Sequence, residues 1–435
     1  NMKKVIRLPD DAIRSPHIIW LYGACSGKLH SKPLCMEMPS FLRSCWIFCL
    51  FMSCQTQHTG TAQAPAGSRQ IVGGGCDGCE LMYIGMPEKM GPADTSAGWY
   101  EAGQKLAVTG TVYQLDGKTP APGVIIYYWH TGSNGLYSFR EAMPAGTRSH
   151  GYLRGWVRTD ENGHYSIYTI RPAPYPNEDM PAHIHLSIKE PDVDNEYYTD
   201  DLVFDDDELL IANFKKYPPE NRCGSGVLRV LVKDSIQVAV HDIVLGLNIP
   251  NYPKTLVQQK RSGLSIGEDQ PSFIPFHAYG PDKGSTACPV CKYGRYHGVL
   301  YFVGDHPRWN EIEAWLSFLE MESIKRQQYL KVYFVYGSKK DYSKAARQKH
   351  LEELGEKLGL VRTALTFVPS FDDKRTEADL NRINPEVENT FIIYKHRRII
   401  DKYIDLKPTN ENFSIISQVL DKTKGPFFSL PAIGH

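Results

Sequence analysis

The chain has no excess of either charge. Lys plus Arg and Asp plus Glu both number 49 among 435 residues, so no net field favours nucleic acid or an anionic membrane, and partners must be sought in particular sites. No internal repeat is present, which sets aside solenoids and propellers. The apolar run Trp46 to Met52 is too short for a stable bilayer-spanning helix. Helical periodicity is missing between residues 100 and 250, where short β runs alternate with turn residues instead. What is present is a folded type of composition, 42% hydrophobic, with 25 tyrosines against 17 phenylalanines. That suits half-buried β surfaces and supplies many phenols, most of them packing residues. The length allows two ordinary domains and a leader.

The ten cysteines are unevenly placed. Cys25, Cys35, Cys45, Cys49 and Cys54 precede any globular pattern, and Cys76, Cys79, Cys223, Cys288 and Cys291 follow. Residues 1–35 show no periodicity, and Met36 or Met38 is a candidate start. From Met38, "MPSFLRSCWIFCLFMSCQT" sets Arg43 before the apolar run and Ser53 before Cys54. It resembles a lipoprotein export signal, in which Cys54 would become the lipid-bearing first residue. Phe51 stands where such signals usually carry leucine, so a plain secretory signal or a short anchor stays open. The expectation is an exported protein, periplasmic or tethered to a membrane, with a leader over residues 1–54 and a flexible tether over 55–75.

Folded sequence begins near Cys76. "KLAVTGTVYQL", "VIIYYWHT", "GWVRTDENGHYSIYTI", "AHIHLSI" and "GVLRVLVKDSIQVAVHDIVL" read as strands, which predicts an all-β antiparallel sandwich over residues 76–250. Residues 251–274 read as a linker. Residues 275–435 then alternate strand and helix: Ile312, Trp315, Leu316 and Leu319 fall on one helical face, and Leu351, Leu354 and Leu358 on another with Gly359 just past its end. The fold class is multidomain, the sandwich followed by an α/β domain with a mixed sheet.

Within "AHIHLSI", His183 and His185 share one face of a strand while Ile184 and Leu186 share the other. Alone, such a pair is most simply a polar strand face. Likewise Tyr137 closing "SNGLY" reads as a turn-adjacent packing residue, and Tyr175 in "RPAPYP" as a ring stacked on prolines. Together, in this order and with these flanks, "GVIIYYWHTGSNGLYS", "RGWVRTDENGHYSIYTIRPAPYP" and "PAHIHLSI" resemble the intradiol ring-cleavage dioxygenases of the protocatechuate and catechol dioxygenase type, over residues 105–235. The resemblance implies a non-haem Fe(III) held by Tyr137, Tyr175, His183 and His185, a catechol-type substrate and O2 as co-substrate, and no NADH or flavin. Fe(III) is a hard Lewis acid that stabilises phenolate oxygen and accepts imidazole nitrogen. In the family the catechol binds through both oxygens, one ligand tyrosine leaves, and the ring opens to a cis,cis-muconate type of product.

Three departures from the family pattern stand out. Met180 occupies the position of an arginine three residues before the first histidine. The stretch between Tyr175 and His183 is short. Asp201 stands in the region where the family has a glutamine. Arg171 is a candidate catalytic residue that would supply the missing positive charge, though an arginine before proline is equally a surface ion-pair residue.

Cys76 and Cys79 form a CxxC with no second close pair beside it, so a four-ligand zinc site is not assembled there. A disulfide, with Cys223 as a possible participant, is the expectation. Residues 275–425 resemble the thioredoxin fold. Cys288 and Cys291 nevertheless precede the first central strand, "DHPRW" follows it, and Asn389 precedes Thr390 where thioredoxins carry a proline. The pair is left as a disulfide, a metal half-site or an unconventional redox pair. Two other functions stay open: a transthyretin-like binding module without catalysis, and a periplasmic thiol-disulfide protein acting through the C-terminal domain.

Overall fold

The structure is a computed structural model that describes residues 71–76, 78–254, 261–327, 329–340 and 342–424. The leader, Cys54 and the tether up to residue 70 lie outside the described residues. Among the described residues, no helix is long and apolar enough to cross a membrane.

Two sheets face each other in the first half. One runs in the order Ala93–Thr95, His164–Ile170, Lys105–Tyr113, Ile236–Val240, Leu231–Lys233. The other runs Arg154–Arg158, Ile125–His130, His183–Lys189, Leu202–Phe204, Val227–Leu228. Their inner faces supply one core, with Leu106, Val108 and Ile167 from the first sheet against Ile126, Ile184, Leu186 and Ile188 from the second. Each such side chain taken out of water contributes about 1.5–3 kcal/mol.

The sandwich departs from the purely antiparallel, all-β expectation. Ala93–Thr95 pairs parallel with His164–Ile170, Ile236–Val240 parallel with Lys105–Tyr113, and Leu202–Phe204 parallel with Val227–Leu228. A helix, Leu210–Lys216, interrupts the strands. The physical reason is connection length: the last pair is separated by a crossover that contains this helix, and only a crossover can deliver a parallel neighbour.

The outer face of the second sheet is also covered. Met82, Met86 and Met90 pack on Tyr127, Trp129, Tyr137 and Trp156. Trp156 Nε1 donates to the Met82 carbonyl (2.8 Å) and the Arg154 guanidinium to that of Ile84 (2.8 Å). A Cys76–Cys79 disulfide sits at the start of this covering segment, and Cys79 Sγ accepts from Ser187 Oγ at 2.9 Å. Cys223 is not part of any bridge: it is a free, buried thiol, set into the sandwich core by a turn in which its backbone is left-handed.

The second half holds a six-stranded sheet in the order Phe276–Tyr279, Ala364–Phe367, Leu330–Tyr336, His297–Val303, Thr390–Lys395, Arg398–Ile404. The three inner strands from Ala364–Phe367 to His297–Val303 are parallel and the remaining pairings antiparallel. Helices Trp309–Lys325, Lys344–Leu358 and Asn410–Thr423 supply Ile312, Trp315, Leu316, Leu319, Leu351, Leu354, Ile416 and Leu420 to the core on one face. Gly359, at φ 61°, ends the second of them as the sequence suggests. On the other face, residues read as a linker are packed in place: Phe273 is fully buried with Leu300 and Phe302. Ser262 Oγ shares a proton with Thr390 Oγ1 at 2.6 Å. The same segment meets the sandwich, where Asp269 accepts from Ser225 Oγ (3.0 Å) and Arg229 (2.6 Å).

Gly110 lies on Lys105–Tyr113 where a Cβ would run into the carbonyl oxygen of His241. Gly110→Ala is therefore expected to cost about 1–3 kcal/mol, seen as a lower denaturant midpoint at unchanged slope. An unaffected midpoint would show that this backbone contact yields freely.

Candidate metal centre

Strand alternation turns His183 and His185 onto the outer face of the second sheet, and His183 is only 5% exposed. Two loops bring the tyrosines to them. Thr131 Oγ1 donates to the Ala173 carbonyl (2.9 Å) and Ala173 N–H to the Gly132 carbonyl (3.1 Å), stapling the loop of Tyr137 to that of Tyr175. Gly135, at φ +76°, lies so close to the Pro174 carbonyl that no side chain fits between the loops.

The four side chains meet. Tyr137 and Tyr175 oxygens are 2.9 Å apart, His183 Nε2 is 3.1 Å from the Tyr175 oxygen, and His185 Nε2 is 3.0 Å from the Tyr137 oxygen. The far nitrogens are anchored: His183 Nδ1 donates to the Pro181 carbonyl (2.8 Å) and His185 Nδ1 to the Asp201 carboxylate (2.8 Å). A carbonyl and a carboxylate only accept, so both Nδ1 atoms carry protons, and each ring in its neutral form presents a lone pair at Nε2. Each phenol then spends its single proton on its own histidine. The Tyr137–Tyr175 contact is left with no proton, three contacts sharing two hydrogens. Two phenol oxygens and two imidazole nitrogens converging with too few protons are what a hard cation satisfies.

Electrostatics agree. Burial pushes the Tyr137 phenol up, with Tyr175 and the charge of Asp201 adding to the shift, and burial raises Tyr175 as well. Burial, aided by His185, lowers His183. Burial would raise the Asp201 carboxyl, but His185 and His183 hold it below its ordinary value. Without a cation these shifts leave neutral phenols and a neutral His183 imidazole beside one carboxylate. His183, His185 and Asp201 also present donor atoms within 4.8 Å of one another. Asp201 Oδ1 accepts from His185 Nδ1, on the side of that ring away from the Tyr137 oxygen, a place from which it would orient His185 toward a bound cation.

Residues 83–223 match the dioxygenase family. The family model, described as Dioxygenase, spans all four converging side chains. Catechol 1,2-dioxygenase of Acinetobacter baylyi is 34% identical to this dioxygenase-like segment over 124 residues, 25% of this chain and 39% of that protein. Chlorocatechol 1,2-dioxygenase of Rhodococcus opacus is 30% identical over 144 residues, 28% of this chain and 54% of that protein. The chain thus spans about half or less of the length of these relatives. Among solved structures, catechol 1,2-dioxygenase from Acinetobacter sp. ADP1 inhibited by bound mercury aligns at 25% identity and a TM-score of 0.30, over 41% of this chain and 64% of that one.

Arg171 is not brought into the cluster's contacts. Its guanidinium forks onto Asp206 at 2.8 and 2.7 Å and lies over the Phe204 ring at 4.3 Å, because residue 171 leaves its strand toward the 204–207 loop. Met180 is 38% exposed. Two neighbours escaped the sequence reading. Trp129 stacks on His185 (4.8 Å between centroids) and on His150 (4.1 Å), and Tyr127 bonds His150 Nδ1 at 2.8 Å. Only the ladder register, Trp129 opposite His185, reveals them. Burial, with His185 and Arg154 nearby, lowers His150 to about 4, so it stands neutral.

Removing the orienting carboxylate tests this arrangement. Asp201→Ala is expected to weaken metal affinity about 10–100-fold, measured by chelator competition, with the circular dichroism of the sandwich unchanged. Wild-type affinity in the variant would remove Asp201 from that role.

Proposed function

We propose that this protein is a non-haem ferric dioxygenase that cleaves a catechol-type ring between its two hydroxyl-bearing carbons with O2. The observation that carries the reading is the convergence of Tyr137, Tyr175, His183 and His185 with one proton too few. The family match over residues 83–223 and the catechol dioxygenase relatives support it. These four side chains would hold Fe(III), which when bound supplies the charge that draws phenolate and catechol oxygens. The chain's own part is positional and protonic. Pro181 and Asp201 keep both Nε2 lone pairs aimed at the centre. The Tyr137 and Tyr175 oxygens can take up the hydroxyl protons that a catechol gives away. Trp129 stacks on His185 and covers one face of that ring. One oxygen atom enters at each carbon of the broken bond, so catechol plus O2 balances a dicarboxylic acid and no external reductant is required.

Four converging donors have no use in a transthyretin-like spacer, which disfavours that alternative. For residues 275–435 a thioredoxin-like fold is part of the proposal. Its support is a parallel pair joined through Trp309–Lys325, followed by the Thr390–Lys395 and Arg398–Ile404 hairpin and the closing helix Asn410–Thr423. Cys288 and Cys291 are bonded to each other ahead of the central strand, a placement that favours the dioxygenase reading over a thiol-disulfide function. Export, with a lipid tether through Cys54, is likewise proposed. Two disulfides in the described residues suit an oxidising compartment.

Iron-replete full-length protein is expected to hold about one iron per chain, to show a tyrosinate-to-iron band in the visible and a high-spin ferric EPR signal, and to take up O2 with catechol. Tyr175→Phe should shift or weaken the band with the fold intact. Colourless protein carrying zinc or no metal, inert toward catechols, would sink the reading.

A further inference from the structure

A second built site lies away from the tyrosine–histidine cluster. At the amino ends of Leu330–Tyr336 and Ala364–Phe367 there is a cleft of about 180 Å³ lined by Tyr293, Ser323, Lys331, Tyr333 and Arg362 together with aliphatic side chains. Ser323 and Tyr333 are 1% and 2% exposed as whole residues, and both line the cleft.

The charge is unbalanced. Lys331 Nζ makes no ion pair among the described residues and lies over the rings of Tyr293 (4.8 Å) and Tyr296 (5.3 Å). The Arg362 guanidinium donates only to Gln327, at 2.9 Å to its carbonyl and 3.5 Å to its side chain, and Arg362 Nε is buried without a partner. The carboxylates that reach this corner are engaged elsewhere. Asp282 pairs with Lys292 at 2.6 Å, its other oxygen buried without a partner. Glu320 accepts from the backbone N–H groups of Val361, Arg362 and Thr363. Burial, with Arg362 and Lys292 alongside, holds the Lys331 ammonium below its ordinary value although Asp282 pulls it upward. A cation destabilised in this way gains most from an added anion.

We propose that this cleft binds a small organic anion, a carboxylate on a planar apolar body. The carboxylate meets Lys331 and Arg362, the body lies against Tyr293 and the aliphatic wall, and the Ser323 and Tyr333 hydroxyls that line the cleft complete its hydrogen bonding. Two unneutralised cations select the charge. The aromatic and aliphatic walls select against a bare inorganic oxyanion, which would leave them wet.

The test is calorimetric titration of the iron-loaded full chain with benzoate, with benzamide as the neutral isostere and inorganic phosphate as the oxyanion probe. Saturable benzoate binding is expected, at least tenfold weaker in Lys331→Met and several-fold weaker in Tyr333→Phe, with thermal midpoints held and the visible spectrum undisturbed. Loss of binding in either variant at an unchanged midpoint locates the ligand here and not at the iron. Absence of saturable benzoate binding to the wild type, equal affinity in both variants, benzamide binding as well as benzoate, or phosphate binding more tightly than benzoate would each overturn the proposal.

Discussion

Three contacts share two protons at the centre of the second sheet, and the surrounding structure serves to keep that mismatch in place. A solvent-exposed cluster would relieve it by turning a phenol outward to water. Here the loops of Tyr137 and Tyr175 are tied together through Thr131, Ala173 and Gly132. The histidines are locked from behind by Pro181 and Asp201. The strand that bears the histidines cannot shift by one residue, since that would send Ile184, Leu186 and Ile188 out of the core and the imidazoles into it. The hydrophobic register of a seven-residue strand is therefore also the alignment of the candidate metal centre.

The two halves of the described chain meet through polar anchoring. Asp269 receives Ser225 and Arg229, Arg295 reaches Asp205 at 3.1 Å, and the Ser225 N–H donates to the Gly267 carbonyl at 2.9 Å. The 204–207 loop belongs to both neighbourhoods. Asp206 takes Arg171, and Asp207 accepts from the Ala182 N–H at 2.8 Å, one residue before His183. The Arg171 guanidinium is thus tied to this loop and makes no contact with the tyrosine–histidine cluster.

Much of the centre was legible in the chain because its ligands sit in contiguous short motifs. The alternation of "HIHLSI" divides core from site without any knowledge of tertiary structure, whereas Asp201 stands out in the sequence only as a departure, where the family resemblance places a glutamine. What was hidden depends on partners far apart in sequence. The methionines from Met82 to Met90 follow neither a helical nor a strand period, so their role as a cover for Tyr127 and Trp129 emerges only when the sheet exists. The parallel pairings arise from crossovers, which composition does not encode. Residues 261–274 are proline-bearing and polar, the signature of a linker, and Phe273 is the one large apolar side chain in "EDQPSFIPF" that becomes completely buried in the fold.

The Cys76–Cys79 bridge spans a separation of three residues, and closing so short a loop removes little freedom from an unfolded chain. Its value is therefore local. It preshapes the entrance of the segment whose methionines lie over Tyr127 and Trp129, with Cys79 seated on Ser187 of the histidine strand. Loss of the bridge would therefore leave the sandwich core as it is and act on the segment over Tyr127 and Trp129 alone.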